Sequence, residues 1–138
     1  MKIRADIELT KGTFIPSVNN LARAVRTKFG VRVYKTKNVR EFQDKFHKLL
    51  LETPLVQILE YDVLSANVNF IFNIYSRFDV RDTSNMIKIS EDVLKDVIGV
   101  DDNRFIKICG EKRKLADKSL PETIDIEVEL LDFSLKEI

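Results

Sequence analysis

Polar side chains that could bind a metal ion and a phosphate lie at both ends of one predicted helix in this 138-residue chain. Asp82, Asn85 and Lys88 stand near the start of the helix, and the doublet Asp101-Asp102 follows its end. Carboxylate oxygens are hard ligands for Mg²⁺, and a fixed lysine stabilises negative charge on a phosphate. The pattern is therefore typical of magnesium-dependent phosphodiester hydrolysis.

The same residues also have an ordinary structural interpretation. Asp82 and the two residues after it are preferred helix N-cap types. Lys88 and Asp92 stand four apart and can form a helix ion pair. The doublet Asp101-Asp102 is typical of a turn that follows a helix. Residue types alone therefore leave the catalytic and the structural interpretations open.

Length and composition exclude several classes of protein. The chain is short enough to form one domain, residues 1–138. One cysteine, Cys109, and one histidine, His47, cannot form an internal disulfide or a zinc site of the usual cysteine and histidine type. No apolar run approaches the roughly 20 residues of a membrane helix, and the N-terminus lacks signal-peptide features. We expect a cytoplasmic protein that does not contact a membrane.

Charge is unevenly distributed although the net charge is only +1. Between Lys11 and Arg40 the chain contains basic residues and no aspartate or glutamate, and a second basic cluster is Lys112-Arg113-Lys114. The final segment is acidic, so the sequence predicts a polarised surface with a basic side suited to DNA phosphates. A loop that lysine and arginine keep solvated is the alternative explanation.

Hydrophobic periodicity predicts an α/β (α+β) two-layer sandwich with the order β-α-β-α-β-β. The predicted strands are 3–9, 66–75, 105–112 and 124–130, the predicted helices are 37–52 and 84–98, and the segment between the first strand and the first helix shows little regular pattern. The two helices would cover one face of a small mixed or antiparallel sheet. The short connection between the last two strands favours their antiparallel pairing, and the uncovered face favours a homodimer.

The spacing of the polar residues resembles the signature of the RusA family of Holliday junction resolvases. The matching residues are Arg81, Asp82, Asn85, Lys88, Asp92, Leu94, Gly99, Asp101 and Asp102. Upstream, the segment Pro16-Ser17-Val18-Asn19 resembles a Pro-Ser-x-Asn segment of the family. Downstream, Glu111-Lys112-Arg113 stands where relatives carry a basic tripeptide. The resemblance covers nearly the whole chain.

The resemblance implies an endonuclease that resolves four-way DNA junctions by symmetric, Mg²⁺-dependent cleavage, with Mn²⁺ as a substitute metal, in a bacterial cell or a phage-infected host. Asp82, Asp101, Asp102 and Ser84 would hold the metal. Lys88 would act with Asp82 and Asp102 in catalysis. The DNA-binding residues would be Asn19, Arg23, Arg26, Lys28, Arg32, Lys35, Lys112, Arg113 and Lys114.

One position departs from the family pattern. Relatives carry Asp-x-Asp-Asn at the helix start, whereas this chain has Asp82-Thr83-Ser84-Asn85. A neutral hydroxyl is a poorer Mg²⁺ ligand than a carboxylate, so metal affinity should fall. The alternative function is therefore a catalytically impaired protein that binds junctions without cutting them. A third interpretation is an interaction protein that pairs through its sheet.

Helix length separates the acidic residues into two groups. A helix of roughly 15 residues spans about 22 Å, and the residues from Gly99 to Asp102 reach back only about 10 Å. Asp82 and Asp102 of one chain are therefore too far apart to share a metal. The spacing predicts a homodimer with composite active sites, in which Asp82 of one subunit meets Asp102 of the other across a twofold axis.

Overall fold

A computed structural model of the chain describes residues 1–9, 15–16, 23–27, 30–34, 37–75, 83–115, 117 and 119–137, with 23–27 and 30–34 described by their backbone. Within these ranges no helix is long and apolar enough to cross a membrane. The elements are β1 (Lys2–Glu8), β2 (Arg23–Thr27), β3 (Gly30–Tyr34), α1 (Lys37–Leu51), a 3-10 helix (Pro54–Glu60), β4 (Tyr61–Ile74), α2 (Thr83–Ile98), a short 3-10 helix (Asp102–Arg104), β5 (Phe105–Lys114) and β6 (Thr123–Leu135).

Four strands form one mixed sheet in the order β1-β6-β4-β5. Strands β1 and β4 are antiparallel to β6, and β4 is parallel to β5. Apolar residues alternate with polar residues along β1, β4 and β6, so each strand buries one face. The buried face packs against α1, α2 and the first 3-10 helix in one hydrophobic core. The predicted two-layer α/β architecture is confirmed.

The expected antiparallel pairing of the last two strands is wrong. Strand β5 pairs with β4 in parallel, because α2 carries the chain back along the sheet as a β-α-β crossover. The chain then crosses the end of β4 to reach β6 on its other side. Two hydrogen bonds fix this crossing: Leu115 N–H donates to the Ile74 carbonyl over 2.8 Å, and Tyr75 N–H donates to Glu122 Oε2 over 3.1 Å.

The basic segment before α1 contains a β-hairpin where little regular structure was expected. Strands β2 and β3 are antiparallel and form a separate two-stranded sheet, with Arg23 opposite Tyr34 and Thr27 opposite Gly30. The prediction weighted glycine, proline and asparagine as loop signals. The alternation of β-branched residues at Val31 and Val33 with Arg32 was the signal that could have identified a strand.

Helix α2 lies directly on the edge strand β5 because Gly110 has no side chain. A Cβ atom at Gly110 would clash with the side chain of Ile87 and would stand 3.4 Å from Cγ2 of Thr83. The helix ends at Gly99, whose φ of 68° is the left-handed conformation typical of a helix C-terminus. Gly99 N–H donates to the Lys95 carbonyl over 3.0 Å. The two glycines therefore fix where α2 begins and ends relative to β5.

The other face of the sheet is polar. Strand β4 presents Asn67, Asn69 and Asn73 on this face, and the neighbouring strand β6 presents Asp125, Glu127 and Glu129. Hydrogen bonds connect these side chains across the strands: Asn67 donates to Glu129 Oε1 over 3.2 Å, and Arg4 donates to Glu127 Oε2 over 2.6 Å. This face is thus a hydrogen-bonded polar surface, and its use in a homodimer stays a prediction.

Candidate active site

Helix α2 holds the candidate site residues at two separate ends. It has sixteen residues, from Thr83 to Ile98, so its ends are about 24 Å apart. Ser84 and Lys88 lie in its first two turns, and Asp101 and Asp102 follow its last turn. The described acidic and basic site residues of one chain therefore form two groups instead of one cluster.

The first group lies where α2 begins over β5. Ser84 and Lys88 are both exposed. Lys112 is opposite the buried Phe72 in the β4–β5 register, so it lies on the helix-facing side of β5, two residues beyond the helix contact at Gly110. Lys114 follows on the same side. The structure thus brings two exposed lysines of β5 to the end of the sheet where α2 starts.

Arg113 lies apart from its two neighbours. Residues alternate along a strand, so Arg113 is on the polar face, opposite Asn73. Its Nη2 lies 2.8 Å from Glu111 Oε2, and its Nε donates to the same oxygen over 3.0 Å. The predicted basic cluster Lys112-Arg113-Lys114 is therefore divided between the two faces of the sheet, and its arginine forms an ion pair with Glu111.

The second group lies just after the left-handed turn at Gly99. Val100 is buried, and the chain emerges at Asp101 and Asp102, which are both exposed. Asp102 Oδ2 lies 3.8 Å from Nζ of Lys95, and the same ammonium lies 3.9 Å from Asp92 Oδ1. The turn thus folds Asp102 back against the last turns of α2. We call Glu91, Asp92, Asp101 and Asp102 the acidic corner.

The surroundings in the acidic corner shift the pKa values of two carboxyl groups in opposite directions. A side-chain hydrogen bond with Asp102 lowers the pKa of Asp101, and backbone N–H groups of Asn103 and Asp102 lower it further. Partial burial raises the pKa of Glu91, and the negative charges of Asp102 and Asp92 add to the rise against the nearby lysines. Hydrogen bonds thus favour the carboxylate form of Asp101, whereas partial burial and neighbouring negative charges disfavour that of Glu91.

The donor chemistry of the acidic corner fits Mg²⁺, but its described side chains make up only part of a site. Asp101 and Asp102 offer the carboxylate oxygens that Mg²⁺ prefers. Among the residues described, no three histidine, cysteine, aspartate or glutamate side chains converge on one point. A complete site at Asp102 therefore requires ligands from outside this group.

Several predicted site residues are not placed. Asp82, Asn19, Lys28 and Lys35 lie outside the described residues. Arg23, Arg26 and Arg32 occupy backbone positions in the β2–β3 hairpin.

The sequence-based prediction missed two residues: Glu91, which belongs to the acidic corner, and Lys95, which contacts two of its carboxylates. The signal for Lys95 was its spacing of three residues from Asp92, which puts both side chains on one side of the helix.

Comparison with protein families matches residues 12–129 to the family described as Endodeoxyribonuclease RusA. The matched range includes the β2–β3 hairpin, both helices, β4, β5 and most of β6. Comparison with curated proteins finds no match.

Three solved structures show a weak overall likeness. A 2C-methyl-D-erythritol-2,4-cyclodiphosphate synthase bound to CDP is 12% identical with a TM-score of 0.40, over 95% of this chain and 98% of that chain. The Plasmodium vivax synthase is 7% identical with a TM-score of 0.34, over 99% and 97%. The Plasmodium falciparum IspF–CDP complex is 10% identical with a TM-score of 0.36, over 99% and 95%. Likeness at this level carries no argument about function.

Proposed function

This chain belongs to the endodeoxyribonuclease RusA family, and we propose that it is a Mg²⁺-dependent endonuclease that resolves four-way DNA junctions by symmetric cleavage. The observation that carries the proposal is the exposed pair Asp101 and Asp102, held by the Gly99 turn at the end of α2 in a chain that matches this family. Both side chains are exposed, so a cation can reach their carboxylate oxygens.

The proposed active site combines the two ends of α2. Asp82, Asp101 and Asp102, with the hydroxyl of Ser84, would hold Mg²⁺. The metal would lower the pKa of a bound water and polarise the scissile phosphate. Lys88, exposed in the second turn of α2, would stabilise negative charge on the phosphoryl oxygens.

Basic residues of two elements would bind the DNA backbone. Lys112 and Lys114 are exposed beside the start of α2, where they can contact a phosphate near the scissile bond. The β2–β3 hairpin contributes Arg23, Arg26 and Arg32 at its backbone positions. Such contacts position the junction through its phosphates and carry little sequence information. Arg113, paired with Glu111, is a weaker candidate for this role.

A nicking assay on a synthetic four-way junction tests the proposal. Wild-type protein should cut opposed strands with Mg²⁺ and should not cut with EDTA. Asp102→Asn and Asp82→Asn should each abolish cutting and retain junction binding, because the phosphate contacts remain. Asp117→Asn, a change at an exposed aspartate outside α2 and the acidic corner, is the control and should cut normally. Undiminished cutting by both site variants would refute the assignment.

Ser84 favours a second candidate function, a junction-binding protein that does not cut. The hydroxyl occupies the second position of α2, where the family pattern has a carboxylate. Such a protein would bind junctions with an affinity that falls steeply with salt concentration. It would form no product at any Mg²⁺ concentration, which separates it from a slow nuclease.

A further inference from the structure

Lys95 lies between two carboxylates at the acidic corner. Its ammonium is 3.8 Å from Asp102 Oδ2 and 3.9 Å from Asp92 Oδ1, so it contacts Asp102, one of the proposed metal ligands. About a third of the Lys95 side chain is exposed, compared with half of Asp102. The ammonium is therefore held at the carboxylate that the proposed function assigns to a divalent cation.

A groove adjoins Lys95 on its other side. The groove lies between α1 and α2, has a volume of about 430 Å³, and is lined by Gln43, Asp44, His47, Asp92, Val93, Lys95 and Asp96. It gives the flexible lysine side chain room to move away from Asp102. Asp44 and Asp96 offer carboxylates on the groove walls, so an ammonium that leaves Asp102 enters another negatively charged environment.

We propose that Lys95 is a positioning residue that competes with the divalent cation for Asp102: it neutralises this carboxylate in the metal-free protein and turns into the α1–α2 groove when metal binds. The inference rests on the proposed function, because it takes Asp102 as a metal ligand. Lys95 would thereby set the metal concentration at which the site fills.

The energetics favour such an exchange. A half-exposed lysine–carboxylate pair is worth at most about 1 kcal/mol, so a divalent cation with several oxygen ligands can displace the ammonium. Lysine suits this role because its ammonium is a compact charge on a flexible stem. Displacement is also cheap where the ammonium reaches other carboxylates, which is what Asp44 and Asp96 provide.

Mn²⁺ binding to the full chain, measured by calorimetry, tests the proposal. Lys95→Met removes the competing charge and should tighten Mn²⁺ binding by about two- to fivefold. Lys95→Arg keeps a competing charge at Asp102 and should not tighten Mn²⁺ binding. Lys48→Met makes the same charge change at an exposed position on α1 and is the matched control, with little expected effect. A loss of stability alone would weaken binding, so a tighter site cannot come from partial unfolding.

A second variant tests the destination of the ammonium. Asp96→Asn removes a carboxylate from the groove wall, so Lys95 should leave Asp102 less readily and Mn²⁺ binding should weaken about two- to threefold. Equal or weaker Mn²⁺ binding by Lys95→Met would overturn the inference while leaving the proposed nuclease intact. Absence of Mn²⁺ binding in every variant would overturn the inference together with the proposed metal site.

Discussion

Ser84 stands at the second residue of α2, exposed, within a turn of the lysine proposed to contact the phosphate. A carboxylate at this position would add one negative charge and one strong oxygen ligand to the proposed metal site. We therefore expect Ser84→Asp to lower the Mg²⁺ concentration for half-maximal junction cutting by about tenfold. The measurement is a nicking assay over a range of Mg²⁺ concentrations.

Ser84→Asn is the matched control, because it changes the side chain without adding charge. It should leave the Mg²⁺ dependence close to that of wild type. If Ser84→Asp and Ser84→Asn had the same Mg²⁺ dependence, position 84 would have no part in metal binding. Cutting by Ser84→Asp together with no cutting by wild type would identify the natural chain as the junction-binding form.

At the level of residues, the sequence identified the side chains that match a family signature. It did not identify side chains that reach the candidate site only through tertiary contacts. The prediction that Asp101 and Asp102 follow the helix is confirmed. Lys95 was missed because its contact with Asp102 depends on the left-handed turn at Gly99, which reverses the chain by an amount that spacing does not encode. Arg113 and Lys114 lay beyond the predicted end of the strand at 112; because β5 continues to Lys114, strand alternation places Lys112 and Arg113 on opposite faces.

At the level of elements, strong periodicity predicted α1, α2, β1 and the cores of β4 and β6 correctly. Pairing partners were less predictable. The β5–β6 connection is short along the chain, yet β6 lies on the far side of β4, because the crossover through α2 had already placed β5 at the edge. The number of residues in a connection limits the distance between two strands, but it does not determine which strand edge is available for pairing.

Strand pairing on the polar face places two carboxylates side by side. Asp6 of β1 is directly opposite Asp125 of β6, and Asn73 of β4 donates to Asp125 Oδ2 over 3.0 Å. Partial burial raises the pKa of Asp125, and Asp6 raises it further, while the hydrogen bond from Asn73 opposes the rise. The folded chain therefore holds the Asp125 proton more tightly than the unfolded chain does.

This arrangement makes one component of stability dependent on pH. Because the pKa of Asp125 is raised in the folded state, protonation of this carboxyl stabilises the fold. This contribution to the free energy of unfolding is fully present below the ordinary pKa of 3.8 and is lost as the pH rises through the pKa of the folded state. Asp125→Asn keeps an acceptor for Asn73 and removes the repulsion from Asp6. We expect the variant to exceed wild type at pH 7 by up to about 1 kcal/mol in the free energy of unfolding, with the difference vanishing near pH 3.

Denaturant unfolding at several pH values measures this effect. Asp132→Asn, which alters an exposed aspartate further along β6, is the control and should show no such pH-dependent gain. A stability difference between Asp125→Asn and wild type that stayed constant from pH 3 to pH 7 would show that the proton on Asp125 makes no contribution to stability in this range.

At the level of the whole molecule, the length of α2 requires that a site using both Asp82 and Asp102 be shared between two chains. A mixing experiment tests this prediction. In a mixed dimer of Asp82→Asn and Asp102→Asn chains, one composite site loses both ligands and the other keeps both. Co-refolded equimolar variants should therefore recover about a quarter of wild-type nicking, since half of the dimers are mixed and each has one intact site.

The alternative arrangement gives the opposite result. If each site came from a single chain, every site in the mixture would lack one carboxylate, and no nicking would return. Mixing each variant with itself is the control and should remain inactive. The mixed dimers should also cut one strand per junction, so nicked junctions should accumulate in place of fully resolved products.

Strand β6 lies between β1 and β4 in the sheet, although β1 is the first of the described strands along the chain and β6 comes after all the others. During synthesis, β1 therefore lacks its partner in this four-stranded sheet until β6 has left the ribosome and entered the space beside β4. Every hydrogen bond that β1 makes within the sheet joins residues more than a hundred positions apart, and such long loops are slow to close. The nascent chain can complete its β4–α2–β5 unit early, but the edge of β4 that pairs with β6 stays open until β6 arrives.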